Sequence, residues 1–235
     1  MNKATFEFRG KEMSLVGPDT QILQAGLARF ASSGILNRIK GNVPLPVRRV
    51  LDVGACIGYY TMLFHEAWPE AEIWAVEPSS LNFRYLMANT GHIANVRHLP
   101  LAAGEATYTH TIAMPTQEEK TFLNFPEGNS GEMTLFGSSN IYREEVPVVR
   151  LDDLIDWCDF IKIDTEGYED RVIRGASRLL KEARPTLFVE FVPENRKLAG
   201  VTAEELANLI QSYDYAPTHG LAQDIIFLPK EKIHV

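Results

Sequence analysis

The chain of 235 residues holds only two cysteines, Cys56 and Cys158, too few for a disulfide framework and in keeping with a reducing, cytoplasmic setting. Neither lies in a CxxC pair, and Cys56 sits among glycines, where its small volume matters more than its sulfur. No apolar run reaches the roughly 18 residues that a membrane-spanning helix needs, and the opening MNKATFEFRGKE lacks the apolar stretch of a secretory signal. Basic residues are in deficit. Lys and Arg number 23 against 31 Asp and Glu, and a formal net charge of -8 argues against a nucleic-acid backbone as partner. A local basic interval, Arg29, Arg38, Lys40, Arg48 and Arg49, reads as solvated helix and loop charge. There is no HExxH and no cysteine-histidine set with zinc spacing, and no repeat or low-complexity tract.

What is present is a soluble, globular composition, 45% hydrophobic and 23% charged, in a length that one α/β domain can use. Residues 1–47 have no single period; Ile22, Leu23, Leu27, Phe30, Ile35 and Ile39 predict one or two short helices forming a cover or lid before Pro44 and Pro46. From residue 48 to 235 short apolar runs alternate with helical patterns. RRVLDV, EIWAVEP, NVRHLPLAA, FIKID, PTLFVEF and DIIFLP read as strands, and YYTMLFHEAW, SSLNFRYLMANTG, LDDLIDWC, EDRVIRGASRLLKEA and TAEELANLIQSYDY as helices. Thr202 with Glu205 three residues on predicts a capping box for the last. Residues 104–150 lack a long helix and predict a β-rich excursion, whose TFLNFPEGNSGEMTLFGSSN stretch suits a closing, specificity-bearing loop. Interleaving of this kind indicates a mostly parallel three-layer α/β fold, in which ligands sit beyond the carboxyl ends of the strands.

Within VLDVGACIGYYT, Gly54 and Gly58 bracket a tight strand-to-helix turn, Asp52 stands at the strand end, and Glu77 closes the next strand 25 residues later. Two carboxylate oxygens at that place can accept both ribose hydroxyls. The dinucleotide fingerprint GxGxxG is broken, because Cys56 takes the middle glycine position that admits a pyrophosphate. S-adenosylmethionine, a nucleoside without phosphate, fits this loop better than a nicotinamide dinucleotide; a purely structural turn is the third reading.

VLDVGACIGYYT, WAVEPSSLNFRYLMANTG and IKIDTEGYEDRVIRGASRLL, with NSGEMTL, VVRLDDLI, RPTLFVEF and DIIFLP, resemble the FkbM family of S-adenosylmethionine-dependent methyltransferases over residues 48–229. The resemblance implies a Rossmann-like, seven-stranded class I sheet, mostly parallel with an antiparallel last strand. It implies methyl donation from S-adenosylmethionine to small or carbohydrate-like acceptors. It also implies cofactor contacts at Asp52, Gly54, Ala55, Gly58, Glu77, Ser79, Asn82, Leu101 and Ala102.

A second polar cluster, FIKIDTEGYED, follows a buried-looking strand. Asp164 or Glu166 there could orient an acceptor hydroxyl and take its proton, and Glu190 at the end of the next predicted strand adds an acceptor contact. His219, in a THG turn, has a reference pKa suited to a base. Convergence of Asp164, Glu166 and Glu190 could serve a hard cation, but the spacing does not require it, and no metal is expected. The expected function is O-methylation of a hydroxyl-bearing small molecule, such as a sugar or natural-product intermediate, by in-line displacement. N-methylation and a noncatalytic adenosyl-binding module are the alternatives, and a homodimer is left open.

Overall fold

The protein is described by a computed structural model over residues 2–18, 20–31, 33–113, 134–135, 143–221 and 223–233. Its centre is a seven-stranded sheet of β3 (Arg49–Val53), β4 (Glu72–Val76), β5 (Val96–Leu99), β9 (Phe160–Ile163), β10 (Thr186–Glu190), β11 (Tyr215–Leu221) and β12 (Asp224–Pro229), in the order β11-β12-β10-β9-β3-β4-β5. The five strands from β10 to β5 are parallel, and β12 runs antiparallel to both β10 and β11. This is the expected class I methyltransferase architecture. β11 corrects one detail, because Tyr215 is expected to end a helix and THG to form a turn. It is the outermost strand, where Pro217 removes no ladder bond the sheet needs, and the register slips between Pro217 and His219.

Side chains alternate across the sheet, as period two requires. Val50, Ile73, Ala75, Phe160, Phe188 and Ile226 join one core with α1 (Thr20–Ala31), α2 (Ser33–Asn42), α3 (Tyr59–Ala67) and α4 (Ser80–Thr90). Leu51, Val53, Ile161, Ile163, Leu187, Val189 and Phe227 join the other with α6 (Glu169–Gly175), α7 (Ser177–Glu182) and α9 (Ala203–Gln211). A short α5 (Leu151–Leu154) adds Leu151 to that side, and α8 (Pro193–Ala199) follows β10. Thr202 and Glu205 form the predicted capping box on α9.

Three features depart from the local reading. The first seventeen residues contain a hairpin of β1 (Asn2–Phe8) and β2 (Lys11–Gly17) ahead of the expected helices. Its short strands alternate too weakly to be seen alone, and a side chain far along the chain docks them. Asn89 on α4 accepts from Val16 N–H at 2.8 Å and donates to Val16 C=O at 2.9 Å, standing in for a neighbouring strand. The segment from residue 169 to 183, expected as one helix, breaks at Ala176 into α6 and α7. The excursion at 104–150 yields a separate three-stranded sheet, β6 (Ala102–Ala103), β8 (Arg143–Val149) and β7 (Tyr108–Ala113), bridged to Thr134. Apart from Thr134 and Leu135, the expected specificity stretch lies outside the described residues.

Gly175, the last residue of α6, brings the second sheet against the main fold: a Cβ there would lie 1.8 Å from the Gly104 carbonyl oxygen. Gly41 on α2 has open space. Gly175→Ala is therefore expected to lower unfolding stability by about 1–3 kcal/mol, whereas Gly41→Ala should be neutral or stabilising by up to about 1 kcal/mol. Urea midpoints check this, and equal midpoints for Gly175→Ala and wild type would remove the close-approach argument.

Candidate functional site

A cleft of about 190 Å³ opens at the carboxyl ends of β3, β4 and β9. Val53, Gly54, Cys56, Val76, Glu77, Asn82, Leu101 and Ala102 line one end; Asp164, Thr165, Glu166 and Glu190 line the other. Ile22 and Ala25 of α1, Tyr59, Ile112 of the second sheet and Leu135 add apolar wall.

The turn after β3 is forced by contact and conformation together. Gly54 has φ of 80°, and a Cβ on it would sit 1.7 Å from the Asp164 carbonyl oxygen, so only glycine lets the two strand-end loops touch. The Gly54 and Ala55 N–H groups both donate to Val76 C=O at 2.9 Å. Glu77 then receives the loop: Cys56 N–H donates to its Oε2 and Ser79 N–H to its Oε1, each at 2.9 Å. Burial dominates this carboxyl and pushes its pKa up to about 7, against the lowering effect of the Ser79 and Cys56 N–H groups and the Asn82 side chain.

Several of the expected cofactor residues shape the loop and do not line the cleft. Asp52 is fully buried beneath it, accepting from Thr61 Oγ1 at 2.6 Å. Ala55 packs into the core, Gly58 is the N-cap of α3, and Ser79 caps α4 by accepting from Asn82 N–H. Glu77, Gly54, Asn82, Leu101 and Ala102 do line it.

Lys162 escapes a motif reading. It is 2% exposed on β9, with Nζ 3.1 Å from Asp164 Oδ2, 3.5 Å from Asp52 Oδ1 and 3.1 Å from Gly54 C=O, under the Tyr60 ring. Asp52 and Lys162 are direct register partners on neighbouring parallel strands. Burial alone would disfavour the ammonium, but Asp164 and Asp52 outweigh it and hold Lys162 charged. One signal for it was present: VLDV and FIKID each place a charge within an otherwise buried strand, on the same face.

At the far end three carboxylates converge, an arrangement that the spacing allows but does not require. Carboxylate oxygens of Asp164, Glu166 and Glu190 lie within 4.8 Å of one another. Such a trio can hold a shared proton, or a hard divalent cation. Burial, then the charges of Asp164, Glu166 and Asp224, drive the Glu190 carboxyl well above the usual carboxylate range, and the Asn195 amide opposes them. Glu166 is held at φ 53° in the left-handed region. Glu169, one of the acids in the predicted cluster, faces away from catalysis: its Oε1 accepts from Thr165 N–H, Thr165 Oγ1 and Gly167 N–H, and it pairs with Arg196. His219 is corrected from turn to strand. It sits on edge strand β11 opposite Ile226, whose other neighbour is Phe188 on β10, two strands away from the acidic trio. Of the neighbouring aromatic residues at the start of α3, Tyr59 lines the cleft and Tyr60 is buried over Lys162.

Lys162→Met would strand the buried Asp52 carboxylate and leave the cleft-lining Asp164 without its cation, so it is expected to cost about 3–5 kcal/mol of stability, with part recovered in the Asp52→Asn/Lys162→Met double variant. Chemical denaturation checks both. A single variant within about 0.5 kcal/mol of wild type would show that the cation holds nothing in place.

A sequence profile described as the methyltransferase FkbM domain matches residues 52–217. The crystal structure of Methyltransferase FkbM from Methylobacillus flagellatus KT is similar with a TM-score of 0.54 at 20% identity, over 80% of this chain and 45% of that chain. The chain thus spans less than half the length of that structure, and the likeness shows a shared fold. Geobacter metallireducens GS-15 precorrin-6y C5,15-methyltransferase gives a TM-score of 0.47 at 11% identity, over 83% of this chain and 86% of its own. Aeropyrum pernix fibrillarin, solved with natively bound S-adenosyl-L-methionine, gives 0.47 at 13% identity, over 83% and 73%. No curated protein matches. Because the matched profile runs from Asp52 through both loops of the cleft and across most of the sheet, the chain belongs to the FkbM methyltransferase family.

Proposed function

We propose that the protein is an S-adenosylmethionine-dependent methyltransferase that methylates a hydroxyl of a small molecule. The observation that carries the reading is Glu77, anchored through one oxygen to the glycine loop at Cys56 and through the other to Ser79 N–H, and lining one end of a cleft whose other end holds Asp164, Glu166 and Glu190. The described lining contains four carboxylates and no lysine, arginine or histidine, the reverse of what a pyrophosphate requires. It suits a nucleoside with a sulfonium and an ammonium.

S-adenosylmethionine, when bound, supplies an electrophilic methyl group. Glu77 would accept its ribose hydroxyls, Asn82 and the Cys56 turn would border the nucleoside, and Val53, Val76, Leu101 and Ala102 provide apolar surface. Asp164, tied to Lys162, offers a carboxylate at the acidic end of the cleft. Glu166 orients the acceptor hydroxyl and takes its proton, the step a hydroxyl needs and an unprotonated amine does not. That need for a base favours O- over N-methylation at an end so rich in carboxylates. Among the described residues no helix is long and apolar enough to cross a membrane. A cytoplasmic location remains part of the proposal.

Calorimetry should show saturable binding of S-adenosylmethionine, and Glu77→Gln should weaken it by roughly 10- to 100-fold through loss of charged acceptors. Absence of binding by the wild type would sink the cofactor assignment. The sign of the pH effect follows from Glu77. Its pKa is raised in the folded protein to about 7, so its charged form is penalised, and hydroxyl donors from a ribose favour that form. Binding should strengthen as pH rises from about 6 to about 8, with proton release below pH 7, and Glu77→Gln should flatten the dependence. Glu166→Gln should retain binding while lowering methyl transfer by roughly 100-fold or more. Mass-spectrometric methyl gain in a panel of hydroxyl compounds reads this out, and undiminished transfer would remove Glu166 as base.

A further inference from the structure

Helix α8 begins with Pro193 at its first position and ends at Gly200, whose φ of 66° stops it after two turns. It follows directly on β10, and two consecutive residues on it are nearly inaccessible, Asn195 at 1% and Arg196 at 4% exposure. Each reaches the strand-end turn of residues 164–167 by a different route. Asn195 Nδ2 donates to Glu166 Oε2 and to Glu190 Oε2, both at 2.9 Å, linking carboxylates that arise from different loops. Arg196 pairs with Glu169, whose other oxygen takes the N–H groups on either side of Glu166. The left-handed backbone of Glu166 is thus gripped from both flanks, and its side chain is gripped from above.

We propose that Asn195 is a positioning residue for the acceptor end of the cleft, holding Glu166 and Glu190 in fixed relation through one amide nitrogen, with Arg196 fixing the turn beneath them through Glu169. The inference rests on the methyltransferase reading for what the two carboxylates do, but its geometry stands independently. Neither Asn195 nor Arg196 is among the described lining residues, so both act through their neighbours. Two like charges this close disfavour joint ionisation, and the amide N–H groups offset that by donating to the charged forms. The groups facing Glu190 are Asp164 and Glu166 from the β9 loop, Asp224 at the start of β12 and Asn195 itself, while Lys162 reaches the cluster only at Asp164. Loss of the amide donors must therefore shift proton uptake by the pair toward higher pH. A residue that merely filled space would leave that titration in place.

The test is a carbon-detected NMR titration of glutamate carboxyls in the full chain, with signals assigned through Glu166→Gln and Glu190→Gln. Asn195→Leu keeps the volume and removes the donors; Asn195→Asp keeps the shape and adds a carboxylate. Both should raise the apparent titration of the Glu166–Glu190 pair, by about one pH unit for Asn195→Leu and by more for Asn195→Asp. Affinity for S-adenosylhomocysteine should stay within about twofold of wild type, since Glu77 is untouched. Folded variants with unchanged carboxyl titration would overturn the proposal, and so would unfolding of both variants, which would assign Asn195 to global stability. Failure of the wild type to bind S-adenosylhomocysteine is a separate result: it would remove the methyltransferase reading while the carboxyl titration still decided the role of Asn195.

Discussion

The buried ammonium of Lys162 is the contact on which the cleft depends. A charge with 2% exposure is sustainable only where opposite charge and hydrogen-bond acceptors surround it, and here they come from β3, from the turn after β3 and from the end of β9. Asp52, Gly54 and Asp164 are held to one point, so the glycine loop and the acidic loop cannot move apart without leaving a charge unpaired. The tight approach of Gly54 to the Asp164 carbonyl enforces the same relation by contact. Charge and sterics specify one arrangement of two loops that are far apart in the chain.

From that point the cleft divides into two electrostatic tasks. At the Glu77 end backbone N–H groups stabilise a carboxylate that burial would otherwise protonate, leaving it poised near neutrality. At the other end carboxylates crowd one another, and their mutual repulsion is moderated by neutral donors, chiefly the Asn195 amide. A positively charged ligand spanning both ends would relieve both penalties, which is why the arrangement accords with a sulfonium nucleoside. The apolar wall includes Ile22 and Ala25 of α1 and Ile112 of the second sheet, segments outside the central alternation.

Legibility in the sequence followed interaction range. Strand-helix alternation after residue 48, the capping box at Thr202 and the carboxylates closing the strands are set by spacing within a dozen residues, and they could be read directly. β11 was hidden because proline and glycine, turn residues in most contexts, are tolerated on an edge strand. The hairpin was hidden because its docking partner, Asn89, lies 73 residues from Val16. The break between α6 and α7 was hidden because an unbroken apolar stripe says nothing about Gly104 pressing on Gly175.

By itself the sequence determined the fold class, the family resemblance and the residue types at the cleft's two ends, since local periodicity decides which face a side chain takes and where a strand stops. Tertiary structure alone decided that Asp52 lies beneath the loop and outside the cleft, that Lys162 joins both loops, and that Asn195 links Glu166 to Glu190. Those roles depend on strand order and register, which bring Lys162 to Gly54 across 108 residues. Periodicity has no term for pairing at that distance, and it is pairing that turns scattered carboxylates into a site.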